Sequence, residues 1–491
     1  MQRLTRQRVA GIGLALALAG CAPGGKVHGP DVRLPATFER PAAPEPNAAQ
    51  MPQAWWTLFD DAQLDRLEAE ALSRAPDART ALSRLTEAYA IRSSALNAYN
   101  PQGALNGQAS DAHNRTTYSG ISFSGAGASS NPALAGLENL FLPADETKTY
   151  QGGFSVSWEL DLFGRRKAAR RAANADMLAA RFDFEASRLS LEANVATSLF
   201  QARALAVQLE DARETARIAA SLAELGRKKA ERGLSSASDS ARLDADAVTA
   251  RSEALRIEAL ATAARRTLLT LIGRGTEPTN ALTIEARLAP PPVLPTTAPS
   301  ALLRRRPDVR EAEQKLRSAI GTLTLDRLAL LPTLTLNPSV AVQRSEANYT
   351  SETSIWTLAA GASAPILDRP RLIAMARLQK ARAEEASVLF EQTILNAYRD
   401  AENGLNQLDA DQSRLALLTQ AEARSRFAFK ASERAYRDGL IDLTTLLDAE
   451  RSWRASRSSL TALQAGALND AVSTIKALGG GWSGAPKKLR E

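Results

Sequence analysis

Two very long stretches without proline constrain the fold of this chain more than any other feature of its sequence. Residues 165–232 and 371–438 contain no proline, and each holds one internal glycine, Gly226 or Gly404. Proline breaks helices and glycine weakens them, so both stretches are free to form continuous α-helices. At about 1.5 Å per residue each helix would run roughly 100 Å. Such helices do not suit a compact domain, but they suit the wall of a tube or a spacer.

Apolar residues recur at steps of three or four along both stretches. This spacing is typical of helices that pack side by side in a coiled coil, and the alanines among them permit close approach. The charged residues in between are interpreted as solvated faces. The recurring positions are Leu178, Phe182, Ala186, Leu189, Ala193, Ala196 and Phe200 in the first stretch, and Ile394, Tyr398, Ala401, Leu405 and Leu408 in the second.

The chain repeats one plan twice, at a spacing of roughly 200 residues. In each copy a helical segment ends at a proline, Pro101 or Pro332, which favours a helix-to-strand joint. A strand, a polar loop, a second strand, a long helix, a glycine-containing turn and a last helix follow in that order. We predict a first repeat at 55–275, a linker at 276–300, a second repeat at 301–482 and a C-terminal tail at 483–491.

The glycine turns match between the two copies. Arg232-Gly233-Leu234 precedes Leu243-Asp244-Ala245, and Asp438-Gly439-Leu440 precedes Leu447-Asp448-Ala449. A glycine just past a helix commonly adopts a backbone conformation that is costly for residues with a Cβ. Gly233 and Gly439 are therefore predicted to close two helical hairpins.

Alternation of apolar and polar residues predicts strands at 153–161, 333–343 and 356–364, with a weaker one near 103–110. Strands of about ten residues suit a tilted crossing of a membrane, although the strands of a soluble sandwich also alternate. Four strands cannot close a barrel, and an open sheet edge is forbidden inside a membrane. If these strands cross a bilayer, several chains must share one barrel, and three chains would supply twelve strands.

The N-terminus carries the marks of an export signal. Basic residues precede an apolar run that is too short to span a bilayer. The run ends at Leu18-Ala19-Gly20-Cys21, which resembles a bacterial lipoprotein signal. We predict a signal peptide at 1–20, diacylglycerol and an acyl chain on Cys21, and a lipidated, proline-rich tether at 21–54. Ala22, where an aspartate would favour the inner membrane, favours the outer membrane.

Few residues are left for chemistry. With Cys21 assigned to lipid, the mature chain has no thiol, and its histidines are His28 in the tether and His113 in a polar loop. No catalytic site, metal site or further cofactor is expected, which argues against an enzyme. Basic residues are mixed with acidic ones along helical stretches, so nucleic-acid binding is not expected either.

The motifs of the two repeats resemble the TolC-like outer-membrane factor family, in its lipoprotein branch often called NodT-type. The resemblance runs from about Trp55 to Trp482. The sequence departs from the family at 365–370, where Pro370 stands near a usually glycine-rich turn, but a proline suits the start of a helix. The motifs that carry the resemblance are Trp55-Trp56 with Phe59, the block 158–165 that ends in Phe-Gly-Arg, the block 302–309 with its Arg-Pro-Asp, Ala312-Glu313, the block 446–451, and the block 478–482.

The resemblance implies a homotrimer of mainly α structure with membrane β structure. A transmembrane β-barrel of twelve strands would continue into a long α-helical periplasmic barrel, with two repeats per chain. It implies a channel lipoprotein of the bacterial outer membrane, which conducts substrates outward in a tripartite efflux system. The implied partners are a periplasmic adaptor, an inner-membrane pump of the resistance–nodulation–division class, and outer-membrane lipid. The substrate is left open among drugs, metals, organic solutes and proteins.

The resemblance also implies a periplasmic gate at the hairpin turns. Asp448 matches an inward-facing acidic ring, and in a trimer three such side chains would repel one another and attract cations. Thr444 lies one turn earlier on the same face. Tyr436, Arg437 and Asp239 fall near positions that link the helix pairs at the closed tip. A solvated charge explains Arg437 and Asp239 equally well.

Two other classes of protein remain to be weighed. A periplasmic coiled-coil adaptor, or a structural lipoprotein without a channel, is the main alternative. Adaptors carry one helical hairpin flanked by β-rich domains, whereas two hairpins and two strand pairs are predicted here. An enzyme is the third class, but no clustered histidine, cysteine or glycine-rich phosphate motif accompanies the acidic residues.

Overall fold

The computed structural model describes residues 27, 29, 31–39, 52–113, 146–294, 299, 305–347 and 349–481, most of which are helical. Cys21 with its signal, Trp482 and the tail at 483–491 lie outside these described residues. The helices are α1 (Ala62–Arg74), α2 (Pro76–Asn97), α3 (Arg165–Glu231), α4 (Ala237–Leu271), α5 (Pro307–Leu328), α6 (Arg369–Arg437) and α7 (Leu443–Ala477). The strands are β1 (Gln102–His113), β2 (Glu146–Leu160), β3 (Thr333–Glu346) and β4 (Thr350–Ser363). Short 3₁₀ helices cover Trp55–Phe59 and Thr279–Ala281.

Both predicted long helices are confirmed as continuous helices. α3 runs over 67 residues and α6 over 69. Pro370 is the second residue of α6, where a missing backbone N–H lies among those without an intrahelical acceptor, so the unusual sequence leaves the joint intact. After a short turn, each long helix is followed by a helix of 35 residues, α4 or α7. No described helix is both long enough and apolar enough to cross a lipid bilayer.

The described residues divide into two compact units. One unit holds Val27 and the described residues within 90–175 and 317–384, including all four strands. The other holds those within 28–89, 176–316 and 385–491, including both glycine turns.

The four strands form one antiparallel sheet in the order β1-β2-β3-β4. All four reach further than predicted toward the β1–β2 and β3–β4 connections, where both faces turn polar and alternation gives no signal. His113, predicted in a loop, is the last residue of β1. Among the described residues, β1 and β4 are each paired on one side only, so the sheet has two open edges.

The helical unit is built around a core of aromatic and aliphatic side chains. Trp55, from the predicted Trp-Trp motif, is 1% exposed and packs edge-on against Trp56 and Phe59. Its Nε1 donates to Oε2 of Glu192 in α3 at 2.9 Å. The motif therefore anchors the start of the described body to the long helix. The core also includes Leu64, Leu67, Leu199, Phe200, Leu268, Ile272, Leu468 and Ile475.

Asp61 ties the start of α1 to α3. Its carboxylate caps the helix by accepting the backbone N–H groups of Gln63 and Leu64, each at 3.0 Å. It also forms a two-point ion pair with Arg203. Burial acts to raise the pKa of Asp61, but Arg203 and the backbone donors hold it below its ordinary value. Asp61 therefore stays ionised, and keeps its ion pair with Arg203, at pH values well below neutral.

The described part of the predicted tether packs against the helical unit. Residues 31–39 form no helix or strand, in keeping with an extended segment. Phe38 is nevertheless buried and stacks on the Tyr398 ring, with 6.1 Å between centroids. The backbone N–H of Glu39 donates to the Glu402 carboxylate at 3.1 Å. Apolar burial at Phe38, which proline content alone does not reveal, fixes this stretch to α6.

Glu68 is an acid inside the core of the helical unit. It is 0% exposed, and within the described residues neither carboxylate oxygen has a hydrogen-bond partner. Burial, followed by the nearby carboxylates of Glu192 and Asp65, raises the pKa of Glu68 to about 10. Glu68 is therefore protonated at neutral pH.

Glu68→Gln is expected to stabilise the protein at pH 8 by roughly 1–3 kcal/mol, because a neutral amide replaces an acid that takes up a proton on folding. Since the pKa is higher in the folded protein, the free energy of unfolding falls as the pH rises from about 4.5 toward about 10. The gain should therefore shrink toward pH 4.5. Thermal unfolding in detergent across this range measures it. Exposed Glu87→Gln in α2 is the control, and a gain independent of pH would contradict the prediction.

Candidate functional site

The two glycine turns have the same backbone geometry. Gly233 has a φ of +72° and Gly439 a φ of +76°, the left-handed conformation that was predicted for them. At the first turn, the N–H of Leu234 donates to the Lys229 carbonyl at 2.8 Å. At the second, the N–H of Leu440 donates to the Ala435 carbonyl at 2.8 Å. These bonds satisfy carbonyls left free at the helix ends, which is the Schellman arrangement.

A capping residue begins the next helix after each turn. The Ser236 hydroxyl accepts the backbone N–H of Asp239 at 3.0 Å, at the start of α4. The Asp442 carboxylate accepts the backbone N–H of Thr445 at 2.9 Å, at the start of α7. Left-handed glycine and side-chain cap together define a hairpin reversal of fixed geometry.

An apolar cluster lies beside the turns and joins the two hairpins. Its residues come from α3, α4, α6 and α7, so the cluster holds the two turns together. Its buried members are Leu222, Ala223, Leu243, Phe429, Tyr436, Leu443, Leu446 and Leu447.

Asp448 and Thr444 lie on the face of α7 that points away from this cluster. Both are exposed, whereas Leu446 and Leu447 are buried. Arg451 Nη1 lies 3.7 Å from Asp448 Oδ1, and both side chains are mostly in solvent. Asp448 is thus available to face a neighbouring chain or an axis. Its assignment to a gate stays a prediction.

The other three predicted gate residues occupy different surroundings. Tyr436 is buried, and Lys229 Nζ of α3 lies 4.2 Å from its ring centroid. Burial, and then the negative charge of Asp239, raises the pKa of Tyr436, so α4 also approaches this ring. Arg437 instead donates to Glu433 of its own helix at 2.7 Å. Within the chain, Asp239 acts on Tyr436 through its charge, and Arg437 pairs separately with Glu433.

Two residues that sequence reasoning missed belong to this region. Lys229 also donates to the Tyr436 carbonyl at 3.3 Å and so links α3 to α6 directly. Glu450 is 3% exposed in α7, and burial raises its pKa although Arg454 lies 3.6 Å away. A lysine near a helix end and a glutamate in a charged helix carry no sequence signal of these contacts.

An open groove of about 630 Å³ lies among α3, α4, α6 and α7, next to the apolar cluster. Phe429 and Trp453 stack in its wall with 5.1 Å between their ring centroids. Arg457 of α7 forms an ion pair with Asp211 of α3 at 2.7 Å. The two hairpins are therefore joined by charges as well as by apolar packing.

The sheet of the other unit has one apolar and one polar face. Leu105, Phe154, Val340 and Trp356 are register partners across β1 to β4, and they form one apolar row. The adjacent row on the opposite face is Ala104, Ser155, Ser339 and Thr357. Within the chain, Trp356 is 82% exposed and Leu105 84%. An apolar sheet face of this kind requires a partner other than water.

Among the described residues, one group of three histidine or acidic side chains could hold a metal ion. Asp111, His113 and Glu146 place their ligand atoms within 4.8 Å of one another at the end of the β1–β2 pair. All three side chains are exposed. Lys148 Nζ already contacts Glu146 Oε1 at 2.8 Å, so the local negative charge has a cationic partner in the chain.

Comparison with known proteins finds relatives along nearly the whole chain. The profile described as "Outer membrane efflux protein" matches residues 67–274 and 298–480. The chain is 30% identical over 472 residues to the pyoverdine export outer membrane protein OpmQ of Pseudomonas aeruginosa, covering 96% of this chain and 95% of that protein. It is 28% identical over 480 residues to the cation efflux system protein CusC of Escherichia coli K12, covering 95% and 98%.

Solved structures agree in fold. The outer-membrane channel OprN superposes with a TM-score of 0.79 at 25% sequence identity. The superposition covers 94% of this chain and 100% of that one.

Proposed function

Because the chain belongs to the outer membrane efflux protein family, we propose that it is the outer-membrane channel of a tripartite efflux system. It conducts substrates from a periplasmic adaptor and an inner-membrane pump to the exterior. The single observation that carries this function is the exposed apolar face of the sheet, opposite a face of small polar side chains. Such a sheet suits a wall between lipid and water, with the polar face lining the lumen.

The working channel is a homotrimer. Each chain has four strands of 12 to 15 residues, enough to cross a bilayer, and two open edges among the described residues. Every backbone N–H and C=O inside a membrane needs a partner, so these edges must pair with other copies. Three copies supply twelve strands, and the long helices of three chains supply a periplasmic tube.

The hairpin turns face the adaptor. Leu234 and Leu440, which follow the two turn glycines, are exposed apolar residues at matching positions. The helices that flank these two leucines are held by the apolar cluster. Leu234 and Leu440 therefore present a rigid surface suited to another helical hairpin. The pump is of the resistance–nodulation–division class. Since relatives are named for pyoverdine and for cations, the channel is a general conduit whose substrate the pump selects.

Conduction by the assembled trimer tests this function. Protein extracted from outer-membrane fractions should migrate as a heat-modifiable trimer and should open discrete conductances in a planar lipid bilayer. A periplasmic adaptor or a structural lipoprotein would give no conductance. A protein found as a non-conducting species in the periplasmic fraction would therefore overturn the channel.

Asp448→Ala is expected to leave the trimer intact and to lower its preference for cations by roughly twofold or more, because a ring of three carboxylates concentrates cations at a narrow point. Block by multivalent cations should weaken as well. Single-channel recordings measure both. Asp244→Ala is the matched control, since Asp244 follows buried Leu243 in the first hairpin as Asp448 follows buried Leu447. Unchanged selectivity and block in Asp448→Ala would remove it from the gate.

Cys21 anchors the mature protein to the outer membrane through its lipid but is not needed to build the channel. Cys21→Ser, expressed behind a replacement cleavable signal, should lose labelling by a fatty-acid analogue and still form trimer. The packing of residues 31–39 on α6 supports this, because the chain is already fixed there by protein contacts. Complete failure to assemble would give the lipid a folding role.

A further inference from the structure

Two aspartates on neighbouring helices lie together at a cavity in the helical unit. Asp411 of α6 and Asp470 of α7 both line this cavity, which measures about 380 Å³. Gln407, one turn before Asp411, lines it as well. Gly466 of α7 leaves open space where a side chain would stand, so the cavity is not filled by the chain itself.

Asp411 is incompletely satisfied in this position. It is 1% exposed, and its Oδ1 accepts from Gln407 Nε2 at 3.2 Å and from Arg414 Nη1 at 3.4 Å. Its Oδ2 is buried and has no hydrogen-bond partner within the described residues. A buried carboxylate oxygen without a donor is costly, so the structure leaves room for something that binds it.

The Asp470 carboxyl adds a second negative group at hydrogen-bonding range from Asp411. The cation that contacts Asp411 is Arg414, whose side chain is 58% exposed and whose contact is long, at 3.4 Å. Solvent screening makes such a contact weak. Arg306 and Lys476 line the neighbouring groove that Asp470 also borders. Two carboxylates this close repel each other unless a proton or a cation lies between them.

We propose that Asp411 and Asp470 bind a calcium ion between α6 and α7, and that the Gln407 amide, whose Nε2 donates to Asp411 without the ion, turns over so that its oxygen becomes a third ligand. Two carboxylates and an amide oxygen form an all-oxygen donor set, which hard cations prefer to nitrogen or sulfur sites. Calcium accepts six to eight oxygens in irregular geometry, and water in the cavity completes its shell. Magnesium demands a more regular octahedron and should bind less well. The ion cross-links the long helix to its hairpin partner at a point independent of the proposed gate.

Calcium titration of the full-length protein in detergent tests the site. The titration uses the Asp448→Ala background, so that cations drawn to the proposed gate do not contribute. We expect one Ca²⁺ per chain with a Kd of about 10⁻⁵ to 10⁻³ M by isothermal titration calorimetry. Calcium should also raise Tm by about 3 °C or more relative to EDTA, and MgCl₂ should do so less.

Three variants separate a cation from a shared proton. Asp411→Asn and Asp470→Asn should each weaken Ca²⁺ binding at least tenfold and remove the Ca²⁺-dependent rise in Tm. Gln407→Leu removes the amide ligand, leaves both carboxylates in place and should also weaken Ca²⁺ binding. It therefore still tests the site if either aspartate variant fails to fold. Asp409→Asn changes an exposed acid two residues away and should leave binding unaltered.

A different pattern would overturn the proposal. If the pair merely shares a proton, Ca²⁺ gives no saturable heat and no change in Tm. Asp470→Asn then raises Tm at pH 7.5 equally with and without Ca²⁺, because a neutral amide replaces the protonated partner. Binding that survives in both aspartate variants would place the ion elsewhere. Neither result would affect conduction by the trimer, so the channel function is tested separately.

Discussion

Trp356→Arg is expected to abolish assembly in the outer membrane, whereas Thr357→Arg, one residue further along β4, is expected to be tolerated. Both positions lie in the middle of the strand and are exposed within the chain. Trp356 belongs to the apolar row with Val340, and Thr357 to the polar row with Ser339. An arginine on the lipid face near the bilayer centre costs about 2–4 kcal/mol per chain, and a trimer pays this three times. An arginine on the lumen face stays in water.

Heat-modifiable trimer in outer-membrane fractions measures this difference, with total protein level followed by immunoblot. Trp356→Leu serves as the second variant, because it changes the shape of the side chain and keeps the face apolar. We expect it to assemble. Equal loss of trimer in Trp356→Arg and Thr357→Arg, or normal assembly of both, would show that the two faces do not separate lipid from water.

The faces of the sheet were predictable because a strand repeats every two residues. Phe154 and Val156 alternate with Ser155 and Ser157, and this pattern alone assigns both faces. The outer ends of the strands were not predictable. Glu146, Thr147 and Lys148 are polar on both faces, so their place in β2 depends on pairing with β1 and β3.

β1 shows the same limit more strongly. Gly103 and Gly107 interrupt its apolar face, and glycine is a poor strand former on its own. The strand forms because each of its residues from Gln102 to His113 has a register partner in β2. A tertiary contact thus outweighs a weak local preference.

Around the turns, too, local backbone features were predictable from the sequence, whereas contacts between distant residues were not. The left-handed conformation of Gly233 and Gly439 was predictable from the local sequence. The contact of Lys229 with Tyr436 joins residues that are 207 positions apart. The burial of Glu68 is equally a property of the packed core. Helix periodicity states which face a residue occupies, but it does not state which helix covers that face.

Gly439→Val is expected to reduce efflux to nearly that of a strain lacking the channel, while trimer assembly is largely retained; Gly233→Val should act in the same direction. At φ near +75° a β-branched side chain clashes with its own backbone, at a cost of roughly 1–3 kcal/mol per turn. The helix end then opens, and the bonds from Leu440 to Ala435 and from Gly439 to Tyr436 are lost. The strands belong to the other compact unit, so the barrel should still form.

Two comparisons make this expectation specific to backbone conformation. Gly439→Asn should restore much of the efflux, because asparagine tolerates the left-handed region better than valine does. Ala237→Val adds similar bulk at an exposed helical position beside the first turn and should leave efflux near normal. Adaptor co-purification after cross-linking in cells, set against the amount of trimer in the same cells, measures docking separately from assembly. If trimer and docking fall together, the turns stabilise the whole chain and are not the surface that meets the adaptor.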